Sequence, residues 1–123
     1  MVATATFAEE TFGTVKKIAI SWATASSSSG QATGTTTNVY SGAIKRLVTV
    51  PGAGALAPTP SYDITLSDQD STDVLMGGGA NRHSANTEQV NAASLGIVAN
   101  DTLTVNVTNA GSSHAGTIYA YIR

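Results

Sequence analysis

The sequence predicts an all-β protein, an antiparallel β-sandwich or jelly-roll-like barrel with long loops and at most one short helix. Three observations predict it. Apolar residues recur with period two in five separate segments, the mark of strands with one buried face. Clusters of Gly, Pro, Ser, Asn and Asp separate those segments, and such residues favour turns over continued pairing. Hydrophobic residues make up 41% of the chain and charged residues only 11%, against a usual charged share of ~25%. The remaining polarity comes from Thr, Ser, Asn and Gly, which suit solvated strand faces and surfaces that pack against other subunits. A chain of 123 residues reads as one domain that buries roughly 65–70% of its unfolded surface without covalent staples.

The first dozen residues leave two readings open. "VATATFAEETF" alternates small residues with Thr before Phe7. Residues 1–12 are either an extended N-terminal arm that adds a strand to a neighbour's sheet, with Phe7 and Phe12 as partner-binding side chains, or an ordinary first strand. Residues 13–123 form the single β domain.

Next, "KKIAISWAT" sets Ile18, Ile20 and Trp22 on one face. "ASSSSGQATGT" (25–35) reads as a flexible loop. "GAIKRLVTV" places Ile44, Val48 and Val50 together, with Arg46 interrupting that face, and "VPGAGALAPTP" (50–60) is a Pro/Gly loop. "SYDITLSD" aligns Tyr62, Ile64 and Leu66 against Asp63 and Thr65. After the long segment 67–90, "DTLTVNVTN" turns Leu103, Val105 and Val107 inward and Thr104 and Asn106 outward. "NAGSSHAG" is expected to join the last two strands as a hairpin-like connection. The final strand, "GTIYAYIR", sets Ile118, Ala120 and Ile122 opposite Tyr119 and Tyr121, so it is central or lies against another subunit. The helix candidates are a turn near Asp73–Met76 and a short helix in residues 86–94, capped by Asn86 and ended at Gly96.

Net charge is −2 with six basic residues, too few for a phosphate track, so no nucleic-acid partner is expected. No apolar run reaches the ~18 residues of a membrane helix, and no membrane partner is expected. The N-terminus lacks the basic and apolar regions of a signal peptide. Absence of cysteine rules out disulfides and thiolate metal sites.

The chemistry-bearing stretch is "SDQDSTDVLMGGGANRHSANTEQV", residues 67–90. As a calcium loop it supplies Asp68, Asp70 and Asp73, but Asp73 and Gly79 stand where an EF-hand needs glycine and glutamate. An Asp-rich turn capping its own amides is the commoner explanation, with a non-EF calcium site as the lesser alternative. "MGGGANRHSA" lacks the lysine and glycine spacing of a P-loop. The triplet Gly77, Gly78 and Gly79 marks a sharp bend or a close backbone approach. His83-Ser84 and Ser113-His114 are sequence neighbours, a poor arrangement for a triad. Asp68, Asp73 and Glu88 offer carboxylate pairs of no specificity. No catalytic, cofactor or metal site is expected.

"SYDITLSDQDSTDVLMGGGANRHSANTEQV", together with "LTVNVTNAGSSHAGTIYAYIR", resembles small all-β proteins encoded among the structural genes of tailed bacteriophages. The likeness covers about the second half of the chain. It implies a structural virion protein made in the host cytoplasm, most like a capsid decoration (cement) protein. Such a protein binds the outer surface of the mature capsid, with the major capsid protein and its own copies in a homotrimer as partners. A tail or fibre component with a receptor- or carbohydrate-binding role is the alternative. Under this reading residues 67–90 form an interaction loop, with Gly77–Gly79 permitting the bend and Arg82 reaching a neighbour; otherwise the loop merely caps the barrel.

Overall fold

A computed structural model describes residues 3–25 and 30–123. It is a two-sheet, almost wholly antiparallel β-sandwich, as the alternation predicts. In chain order the strands are β1 (Ala3–Thr4), β2 (Thr6–Phe12), β3 (Val15–Ala23), β4 (Ala32–Thr35), β5 (Tyr40–Pro51), β6 (Asp63–Ser67), β7 (Glu88–Asn91), β8 (Ile97–Asp101), β9 (Thr104–Thr108) and β10 (Ala115–Ile122). The small sheet runs β1-β4-β9-β6. The large one runs β2-β3-β10-β5-β7, with β8 also paired to β5. Single 3-10 turns at Gly54–Leu56 and Ala92–Ser94 supply the helical content.

The core lies between the sheets. Ile18, Ile20 and Trp22 from β3 and Ile118, Ala120 and Ile122 from β10 meet Ile64, Leu66, Val105 and Val107 from the small sheet, all buried. Burying each large apolar side chain contributes about 1.5–3 kcal/mol. Trp22 and Tyr62 join the two sheets, ring centroids 5.6 Å apart and planes tilted by 43°, an arrangement that favours the aromatic quadrupoles.

The N-terminal segment contributes to both sheets. Ala3–Thr4 pairs in parallel with β4, buried Ala5 makes the crossing, and Thr6–Phe12 pairs in register with β3 along all seven residues. From Ala3 onward, then, these residues form strands paired within the chain.

Four local expectations are corrected. The β5 face is not Ile44, Val48 and Val50. A bulge at Lys45, where the β10 partner jumps from Arg46 to Ile44, reverses the parity. Ile44, Leu47 and Thr49 are buried opposite Ile122, Ala120 and Ile118. Residues 88–91 are strand β7, paired with Arg46–Thr49, and only Ala92–Ser94 turns helically; pairing with a long neighbour overrides a four-residue propensity. "NAGSSHAG" is not a hairpin, because β9 belongs to the small sheet and β10 to the large one. Buried Thr24 braces that crossing: its hydroxyl donates to the Gly111 carbonyl at 2.6 Å and accepts the His114 N–H at 3.0 Å. Finally, the stretch read as a loop over 25–35 ends in β4; its residues 26–29 lie outside the described ones.

Candidate partner-binding surface

Residues 68–87 leave the small sheet at Ser67 and reach the large one at Glu88. On the way the backbone returns along the free edge of β6. The Ile64 N–H donates to Gly79 O (2.8 Å), Val74 N–H to Leu66 O (2.8 Å) and Arg82 N–H to Tyr62 O (2.7 Å). The segment therefore covers an edge that would otherwise invite pairing with another chain.

Two aspartates hold the first half. Asp68 accepts N–H bonds from Asp70 and Thr72 at 3.0 Å and the Thr72 hydroxyl at 2.7 Å. The Thr72 hydroxyl and backbone bonds outweigh what burial there is and hold its carboxyl below the ordinary carboxylate value. Asp73 accepts from Leu66 N–H at 3.0 Å and Leu75 N–H at 3.1 Å through Oδ1, and from Gly77 N–H at 3.0 Å through Oδ2. This is the self-capping turn that the Asp-rich sequence suggests. Among the described residues, no group of three or more His, Asp or Glu side chains is placed to hold a metal ion.

The glycine triplet divides its work. Gly77 takes a left-handed φ of +83°, and Gly79 packs so closely that a Cβ there would collide with the Ile64 carbonyl oxygen. Only glycine meets both demands without strain.

The second half folds back on itself. The Arg82 guanidinium lies 3.6 Å from Glu88 Oε1 and donates from Nε to Ala80 O at 3.2 Å. Glu88 also accepts the His83 N–H at 2.8 Å, while His83 Nδ1 accepts the Ala85 and Asn86 N–H groups at 3.0 Å. Arg82 and His83 are thus engaged within their own loop.

Exposed on this braced frame is Met76, with 71% of its surface in solvent and a backbone φ of 54°. A left-handed conformation costs a non-glycine residue roughly 1–2 kcal/mol. A Cβ built on Gly96 would touch Met76 Cγ and Sδ at 3.5 Å, so Met76 lies against Gly96; the next residue, Ile97, is 73% exposed. Sequence reasoning passed over both. For Ile97 a signal existed: in "GIVAN" two adjacent apolar residues on a strand point opposite ways, and Val98 is the buried one.

The two phenylalanines separate. Phe7 is half-buried against the core from the inner face of β2, whereas Phe12, opposite Val15, is 58% exposed. Of the four tyrosines, Tyr40 and Tyr62 are buried, and Tyr119 and Tyr121 are half-buried on the outer face of β10. Burial pushes the Tyr62 hydroxyl above its ordinary value. Compared with known protein families, curated proteins and solved structures, the chain matches none of them.

Proposed function

We propose that the chain is a structural virion protein of the tailed-phage kind that binds the outer surface of a mature capsid and stabilises it, as a homotrimer. The observation that carries a contact role is Met76: an exposed, flexible apolar side chain on a backbone held left-handed by a carboxylate brace and a glycine triplet. Outliers of this kind concentrate at sites that touch something, and methionine adapts to irregular partner surfaces. Ile97 and Phe12 are further exposed apolar side chains on the sandwich. The sequence resemblance supplies the virion context.

A decoration protein works by mass action: binding energy released on the assembled shell stabilises that shell against opening. The test is copy number. Quantifying the chain against the major capsid protein in purified particles is expected to give a ratio approaching one-to-one. A few copies per particle supports instead the tail or fibre reading. Absence from particles defeats both.

A further inference from the structure

Five of the chain's six basic residues, all except Arg82, gather at one end of the large sheet. Cross-strand register puts Lys17, Tyr121 and Arg46 in one row. Lys16 stands opposite Ile122, and the Arg123 backbone pairs with Ala43 in the adjoining rung. The bulge at Lys45 changes what this end presents. Regular alternation would send Lys45 and Arg46 to opposite faces. Both instead line a cleft of about 470 Å³ together with Val15, Tyr121, Ile122 and Arg123. A second cleft of about 350 Å³, against Gln89, Val90 and Asn91, is lined by the same pair. Bulges are a known means of re-aiming side chains in this way.

The cations here are little neutralised. Among the described residues none of the five lies within 4 Å of a carboxylate, and the ion pair that does form is Arg82–Glu88. Glu10 faces Lys17 in register without closing an ion pair. Arg46 gives Nε to Gln89 Oε1 at 3.1 Å and lies over the Tyr121 ring, 5.4 Å from its centroid, and neither contact takes up its terminal nitrogens. Lys17 lies over Tyr119 and Tyr121, at 4.9 and 5.9 Å. Val15 and the Tyr121 ring make the floor apolar, Ile122 itself being wholly buried, and exposed Phe12 pairs with Val15 across β2 and β3.

We infer that this cleft docks an acidic segment of a partner protein, with carboxylates on Lys45, Arg46 and Arg123 and an apolar side chain between them on the floor. Charge complementarity selects the carboxylates, and the planar guanidinium of arginine suits bidentate contact with them. The apolar floor and Phe12 distinguish a peptide from a bare oxyanion. A nucleic-acid backbone fits less well, because a chain of net charge −2 lacks the extended basic track that phosphates need. The inference rests on the proposed role only for the owner of the segment. Copy number tests that role and peptide titration tests the cleft, so either can fail alone.

The experiment is a fluorescence-anisotropy titration of the purified chain with a short labelled peptide alternating glutamate and leucine, beside a counterpart with glutamine for glutamate. The acidic peptide is expected to bind, the counterpart not. The Lys45→Ala/Arg46→Ala double variant should weaken binding about tenfold or more, as loss of charge-assisted bonds predicts. Raising salt should weaken it as well. Both side chains are exposed, so the variant should melt with the parent; if it does not, Lys45→Glu alone serves, with the same expected loss. No binding of the acidic peptide, equal binding of the counterpart, or binding indifferent to these variants overturns the inference. Displacement by inorganic phosphate well beyond that caused by sodium chloride at the same ionic strength, or tighter binding of a single-stranded oligonucleotide, also overturns it by naming a different ligand.

Discussion

Glu9 and Asp73 perform the same task in different parts of the fold. Each is a half-buried carboxylate that collects three donors. Asp73 takes its N–H groups from within seven residues. Glu9, on edge strand β2, takes the Thr37 and Asn38 N–H groups at 2.9 and 3.0 Å and the Tyr40 hydroxyl at 2.7 Å, from 28 to 31 residues away. Burial alone would raise the Glu9 carboxyl, but the Tyr40, Thr37 and Asn38 bonds together hold it below its ordinary value. Tyr40, buried and then bonded to Glu9, has its hydroxyl pushed well above the usual range. A local brace needs only neighbouring residues to shape a turn. A long-range clasp ties the β2 edge to the β4–β5 connection only once the sheets exist.

The largest way to break the contrast is to delete residues 1–12. This removes the clasp, the Phe7 packing and all seven β2–β3 rungs, and should consume at least half of the ~5–15 kcal/mol that stabilises a domain. Loss of a cooperative thermal transition is the expected outcome; an unchanged transition would show that the segment is dispensable to the fold. Asp73→Ala comes next. It strands two part-buried N–H groups, on Leu66 and Leu75, and should cost about 2–4 kcal/mol in denaturant unfolding.

Glu9→Gln should cost about 1 kcal/mol, because the site is partly solvated. Its signature is in pH. A folded carboxyl held below its ordinary value of 4.5 contributes stability that is fully present above that value and lost as pH falls through the folded pKa. The parent should therefore lose its advantage over Glu9→Gln on acidification. A gap that stays constant down to strongly acid pH contradicts the assignment. Asp68→Ala is the smallest: its turn is solvent-exposed, and melting should shift less than for Glu9→Gln.

Much of this was legible in the sequence where the physics is local. Ile18, Ile20, Trp22, Ile64, Leu66, Val105 and Val107 announce their inner faces because a strand's side chains alternate with fixed period. Asp68 and Asp73 announce a turn because their donors are their neighbours. The β5 face was misread because one extra residue at Lys45 inverts parity downstream, and an isolated strand carries no mark of where its partner slips. Strand β7 looked helical because its only reason to be extended is the Arg46–Thr49 edge, more than thirty positions away in the chain. Of the candidate contact residues, the glycine triplet was readable as a bend. Arg82 was named for its charge, and the sequence could not show that Glu88 lies 3.6 Å from it. The gathering of basic residues at one end was hidden for the same reason, because only the pairing of β3, β10 and β5 brings Lys17, Tyr121 and Arg46 into one row.

The position of β10 has a consequence for synthesis on the ribosome. It lies between β3 and β5, although about a hundred and about seventy residues separate it from them. Until residues 115–122 have emerged, β3 and β5 have no common neighbour, and the large sheet is two pieces with open edges and uncovered isoleucines. Contacts so distant in sequence make folding slow. The nascent chain should therefore remain open to protease, and to capture by chaperones, until residues 115–122 have left the exit tunnel.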